Sequence, residues 1–240
     1  MKNLGNLKLN SREVKRLLTK QYFSCGSEAV ICRSEKPNTL YKIFTQSQLR
    51  VGTMSLNKLK KLTAIYNMNL ENCTLPLRTL SNNGNLIGYE MTYNPNNVRL
   101  KPNDFSKEEL LDYLQSIKEI LCNFTAKGII YGDVSFQNIL IDRKNHKVSF
   151  CDMDNIQIGK YPIDFLCHSL TDYYDIRGID EKTDAYMHNL LVLKSLGLDF
   201  FYCDTLDIME EFTQEAVKTF TSMQELETFT GEYIIKYLRK

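Results

Sequence analysis

No stretch limits the fold of this chain more tightly than Tyr131-Gly132-Asp133-Val134-Ser135-Phe136-Gln137-Asn138-Ile139-Leu140-Ile141, followed by Val148-Ser149-Phe150-Cys151-Asp152. The apolar runs here are the length of strands rather than helices, and polar residues separate them. The segment therefore reads as a loop, a short strand, a turn and a second short strand. Asp133, Asn138 and Asp152 stand at the edges of those strands. Asp and Asn are ordinary turn residues. They are also hard oxygen donors of the kind a magnesium ion takes.

At 240 residues the chain is long for one domain and short for two independent ones. A chain of this size buries about 70–75% of its unfolded surface. The formal charge of +1 gives no hint of nucleic acid or of an anionic membrane as partner. No apolar run approaches the roughly 18–20 residues that span a bilayer, and Met1-Lys2-Asn3-Leu4-Gly5-Asn6 carries no apolar signal core. The seven cysteines are scattered without a C-x-x-C pair. Cys32, Cys122 and Cys151 sit in apolar runs, so buried reduced thiols are expected rather than a disulfide framework or a zinc site. A cytoplasmic protein is the expectation.

Along the chain, residues 1–20 are polar and basic, with Val14, Leu17 and Leu18 marking at most a short helix. Residues 22–33 read as strand, glycine turn and strand around Gly26-Ser27, and Leu40–Phe44 reads as a third strand. Lys42 is the one charge in the third strand. A lysine among apolar neighbours needs an anion to offset its desolvation, or else lies at an edge with its head in water. Residues 54–67 predict an amphipathic helix with Lys58, Lys60 and Lys61 on an outer basic face. Leu77–Leu80, the turn Asn82-Asn83-Gly84-Asn85, and Leu86–Met91 form a hairpin signal, and residues 94–104 read as loop. Ser106-Lys107-Glu108-Glu109 is a capping box. It opens a helix with Leu110, Leu114, Ile117, Leu121 and Phe124 on one face, ended by Gly128. A further helix starts near Thr183-Asp184, with either residue able to cap it. His188 on it reads as a packed or surface histidine rather than a ligand. Two more helices are expected between Leu198 and Lys240.

Lys42, Asp133-x-x-x-x-Asn138 and Asp152, with the helix before them, resemble the protein-kinase-like superfamily, in particular its compact, atypical bacterial-type members. The resemblance covers about residues 20–200. It implies an α+β, bilobal fold: a five-stranded antiparallel N-lobe sheet with one helix over residues 1–92, and an abbreviated, mainly helical C-lobe over 93–240. It also implies ATP and Mg2+ as cofactors. Lys42 would meet the phosphates under the turn Gly26-Ser27. Val30 above and Leu140 below would enclose the base, and Glu90 and Met91 would lie in the hinge that meets the adenine. Asp133 would align and deprotonate the acceptor hydroxyl. Asn138 and Asp152 would hold the metal, with Asp154 either a further ligand or a turn cap. Asp184 would brace the backbone of the catalytic loop.

The chain also departs from that pattern. Only one glycine of the glycine-rich loop remains. Thr45 to Leu70 contains no acidic residue, so the helix carboxylate that would pair with Lys42 is missing. Gln46, Gln48, Asn57 or the phosphate itself would have to orient the lysine. Tyr131-Gly132-Asp133 stands for His-Arg-Asp, which removes the arginine receptor of a phosphorylated activation loop. The Ala-Pro-Glu anchor is absent from residues 156–182. The expected function is an ATP-dependent phosphotransferase, Ser/Thr protein kinase-like, with a protein substrate. The alternatives are a small-molecule kinase of the aminoglycoside or choline kinase type, and a nucleotide-binding pseudokinase acting as a binding module. A nucleotide bound in reverse, giving nucleotidyl transfer, would use similar residues.

Overall fold

A computed structural model describes residues 3–26, 28–45, 52–164 and 178–195. The chain is α+β and divides into two compact units: residues 1–97 with 149–154, and residues 98–148 with 155–240. Among the described residues no helix is long and apolar enough to cross a membrane.

The first unit is built on a six-stranded sheet of order β1-β5-β6-β4-β3-β2. Its strands are β1 (Gly5–Lys8), β2 (Tyr22–Cys25), β3 (Ala29–Arg33), β4 (Thr39–Phe44), β5 (Pro76–Asn82) and β6 (Asn85–Thr92). The sheet is mixed, not the five-stranded antiparallel one that the sequence suggests, because β1 adds to the edge parallel to β5, from Gly5↔Arg78 to Lys8↔Ser81. Backbone pairing and the Asn6–Ser81 and Asn6–Thr79 side-chain bonds hold β1 in place. It is mostly exposed, so no apolar alternation announces it. The β5–β6 turn takes positive φ at Asn83 (50°) and Gly84 (81°). Two such residues make the tight turn whose twist suits a hairpin, which is why Asn-Gly stands there.

Alternation along the strands loads both faces of this sheet. One face gathers Cys32, Tyr41, Ile43, Leu80 and Ile87 under Leu17 of α1 (Ser11–Lys20). Burial there pushes the Cys32 thiol up to about 11. The other face gathers Ala29, Leu40, Phe44, Leu86, Tyr89 and Met91 under Leu62 of α2 (Gly52–Met68). Helix α1 begins with a capping box, Asn10 accepting the Glu13 amide while the Glu13 carboxylate accepts the Asn10 amide. The basic face expected of α2 is only partly present. Lys60 is exposed, but Lys61 is buried to 2% and the Lys58 side chain to 11%.

In the second unit α3 (Lys107–Ala126) opens with the Ser106–Glu109 capping box and buries Leu110, Leu114, Ile117, Leu121 and Phe124. Gly128, at φ 69°, follows its end, the left-handed stop that glycine supplies. Two short ladders follow. One pairs β8 (Ile129–Ile130) with β11 (Gln157–Ile158). The other, of order β10-β9-β7, comprises β7 (Asn97–Arg99), β9 (Ile139–Asp142) and β10 (Lys147–Phe150). Part of the 94–104 segment, read as loop, is thus β7 and a 3-10 turn at Pro102–Asp104. Helix α4 (Thr183–Ser195) packs Met187, Leu191 and Val192 in the interior. His188 Nε2 lies 3.0 Å from the Leu114 carbonyl oxygen of α3. The two helices expected between Leu198 and Lys240 lie outside the described residues, as do positions 165–177 of the 156–182 segment.

Two measurements test this architecture. A Cβ on Gly88 would sit 2.0 Å from the Lys42 carbonyl oxygen on the neighbouring strand, and paired backbone cannot yield. Gly88→Ala is expected to cost at least about 2 kcal/mol in denaturant unfolding. Burial pushes the His188 imidazole down from 6.5 to about 4, so it is neutral in the folded chain. The unfolded chain binds the proton first, so the parent's stability advantage over His188→Gln is full above about pH 6.5. That advantage should shrink by about 3 kcal/mol as pH falls to about 4.

Candidate active site

Asp152 and Asp154 belong to the first unit because the segment 149–154 is stitched to it. The Phe150 amide donates to Asn72 O and the Thr74 amide to Phe150 O, each at 2.8 Å. Phe150 and Met153 are fully buried and anchor the segment. The turn that follows carries Asp152 and Asp154 to Lys42. The Lys42 ammonium donates to Asp152 Oδ1 and, at 2.6 Å, to Asp154 Oδ1. Lys42 occupies the middle of β4, paired with Ile31 on one side and Tyr89 on the other. At 5% exposure it is an interior cation, not an edge lysine with its head in water.

Asp154 is the centre of this cluster. Besides Lys42 it accepts the Tyr89 hydroxyl at Oδ1, at 2.7 Å, and Lys58 Nζ of α2 lies 2.8 Å from Oδ2. Lys58 also donates to the Asp154 carbonyl oxygen at 2.9 Å. Burial alone would raise the Asp154 carboxyl, but Lys42 and Lys58 override it and hold the group well below the usual carboxylate range. Burial likewise opposes the Lys42 charge, and Asp154 and Asp152 outweigh it, raising its pKa. Asp152 is pushed up, by burial first and by the neighbouring Asp154, against the pull of Lys42. It also adopts φ 59°, a left-handed conformation that Asp tolerates better than most residues and that concentrates at functional sites.

The second unit arranges the other expected residues. Asn138 Nδ2 donates to Asp133 Oδ2 at 2.7 Å and to the Asp133 carbonyl oxygen at 3.2 Å, and its own amide closes a turn onto Ser135. Val134 and Ile139 are buried on either side, which pins the loop between its polar residues. Asp184 is not a helix cap. Its carboxylate accepts the Tyr131 and Gly132 amides, each at 2.7 Å, with Gly132 at φ 76°. Burial pushes the Asp184 carboxyl up to about 6, against those two donors.

Other expected positions are corrected by the strand registers. Val30 pairs with Ile43 and packs in the α1-side cluster, on the opposite sheet face from Lys42; Ala29 and Ile31 share the lysine's face. The hinge expected at Glu90 and Met91 is sheet interior. Met91 pairs with Leu40 and Pro76, and the buried Glu90 carboxylate takes Arg78 through Nε (2.7 Å) and Nη2 (3.1 Å). The chain leaves β6 only after Thr92. Gly26 is exposed in the β2–β3 turn, its amide bonded to the Ala29 carbonyl oxygen, and Leu140 is half-buried in β9. Ser27, Gln46 and Gln48 lie outside the described residues, and Asn57 is exposed. Cys122, expected inside, is exposed as well.

Asp154 as an enclosed anchor and Lys58 as its inward partner are what sequence reasoning missed. The available signal was Asp152-x-Asp154 together with a helix that carries lysines and no acid. Neither a family model nor a curated protein sequence matches this chain.

Proposed function

We propose that the chain is an ATP- and Mg2+-dependent phosphotransferase with a bilobal, protein-kinase-like fold, acting on a hydroxyl, in the first instance a Ser/Thr hydroxyl of a protein. One observation carries the reading: Lys42, an interior ammonium, is held by two carboxylates 110 and 112 residues further on. Ion pairs buried in this way are commonly no more stable than apolar packing of the same volume. The sheet face that carries Lys42 is otherwise lined by Ala29, Leu40, Phe44, Leu86, Tyr89 and Met91, which have no packing need for one. A positioned cation beside a carboxylate suits phosphate chemistry.

Each residue then has a task. Lys42 supplies positive charge to the phosphates, oriented from behind by Asp154. Asp133 aligns the acceptor hydroxyl and takes its proton, while Asn138 Nδ2 fixes the carboxylate and Asp184 fixes the backbone of that loop. The oxygens of Asp152 and Asn138 are the donors suited to magnesium. The Asp152 side chain retains 30% exposure, and the Asn138 nitrogen is committed to Asp133. Asp154 does not suit a metal, being enclosed at 1% exposure by two ammonium groups and a phenol. Magnesium, when bound with the nucleotide, neutralises charge developing on the phosphates. One observation favours a second reading, a pseudokinase binding module: the charge of Lys42 is already balanced by Asp152 and Asp154.

The test is incubation with Mg2+ and ATP labelled at the gamma or the alpha phosphorus. Gamma label on protein supports the kinase reading, and gamma label on a metabolite redirects it to a small-molecule acceptor. Alpha label shows nucleotidyl transfer, and no transfer with retained binding shows the module. In the active case Asp133→Asn should lower turnover by roughly 10²–10⁴-fold while sparing Mg·ATP affinity. Lys42→Met and Asp152→Asn should weaken both. Equal turnover in Asp133→Asn and the parent would remove Asp133 from its role.

A further inference from the structure

We infer that Asp154 is the positioning residue for Lys42, and that helix α2 meets this pair with a cation, Lys58, instead of the carboxylate that the resembled family places on that helix. The inference rests on the phosphotransferase reading for its purpose, but its geometry stands within the first unit alone. No acidic residue occurs anywhere from Thr45 to Leu70, so α2 has none to offer. The carboxylate comes instead from the turn that carries Asp152, two residues along. Its Oδ1 takes Lys42 at 2.6 Å and the Tyr89 hydroxyl at 2.7 Å. Lys58 Nζ lies 2.8 Å from its Oδ2 as an ion pair and donates to the Asp154 carbonyl oxygen. The charge order of the helix contact is therefore inverted.

Inversion changes what α2 can control. Where the helix owns the carboxylate, displacing the helix frees the lysine. Here Lys42 is held by a residue two positions along the chain from Asp152, in a segment whose backbone is bonded to Asn72 and Thr74. Displacing α2 would remove Lys58 and leave the Lys42–Asp154 bond in place. The helix is a tether on the anchor rather than a gate, and the lysine is aligned whenever this unit is folded. A structural role alone would ask only that the charges of the cluster cancel.

The test therefore separates cancellation from positioning. Asp154→Asn leaves two interior ammonium groups with one carboxylate, so its effect on folding is controlled with Asp154→Asn/Lys58→Met, which removes one charge of each sign. Three quantities are read on the full chain: thermal unfolding, acylation of Lys42 by an amine-reactive ester followed by mass spectrometry, and Mg·ATP affinity. Lys58→Met alone should leave Lys42 labelling and nucleotide affinity within about threefold of the parent. The folded double variant should label Lys42 at least about tenfold faster and bind Mg·ATP at least about tenfold more weakly. Parent-like labelling in the folded double variant overturns the inference. A large effect from Lys58→Met equal to that of the double variant overturns it too, since the helix would then be the controlling partner. If the parent binds no nucleotide, the phosphotransferase reading falls, and the labelling arm still decides the positioning role.

Discussion

An ammonium and a carboxylate meeting inside a sheet-and-helix interior set the terms for the first unit. Neither Lys42 nor Asp154 could be ionised there alone, because stripping water from a charge costs several kcal/mol even after relaxation. Each makes the other admissible, and their neighbours complete the solvation that water would have given. Tyr89 supplies a hydroxyl from β6, Lys58 a second cation from α2, and Asp152 a second anion from the returning segment. Four separate pieces of chain thus share one electrostatic centre. Loss of a single partner from such a centre exposes the rest to the full desolvation cost.

Around that centre the packing is conventional. Alternation on β3, β4 and β6 sends one set of apolar side chains toward α1 and the other toward α2, so the sheet is covered on both sides. Gly88 shows how closely β4 and β6 approach beside the lysine. In the second unit, α4 carries two buried titratable groups four positions apart whose responses to pH oppose one another. Asp184, raised to about 6, contributes stability that is fully present below about pH 4 and lost as pH rises through about 6. His188, lowered to about 4, contributes stability that is lost as pH falls. Between about pH 4 and 6 the two slopes largely offset one another.

How much of this could be read beforehand depends on the range of the interaction. Local signals were legible: Asn83-Gly84 for the hairpin, Ser106 with Glu109 for the start of α3, Gly128 for its end. The Asn10–Glu13 capping box carries the same kind of signal, masked by the polar residues around it. Strand β1 had no local signal, since its partner β5 lies some seventy residues away and its own residues stay exposed. The face on which Val30 lies is not legible locally, because a strand with apolar residues on both sides does not declare which side meets Lys42. The end of β6 at Thr92 is hidden for a related reason: a continuous apolar run does not show where sheet pairing stops.

Lys42, Asp133, Asn138, Asp152 and Asp184 owe their selection to the kinase-like resemblance, whereas composition and spacing alone indicated most of the short strands and helices and their order. Those elements were legible because they depend on neighbours a few positions apart. Pairing of Lys42 with Asp154 rather than with a helix residue was settled only in three dimensions. So was the turning of Lys58 and Lys61 inward, and the engagement of Asp184 with two loop amides. Each of these follows from which distant segment fills the space beside a buried charge. A one-dimensional pattern of hydrophobic and polar residues holds no record of that.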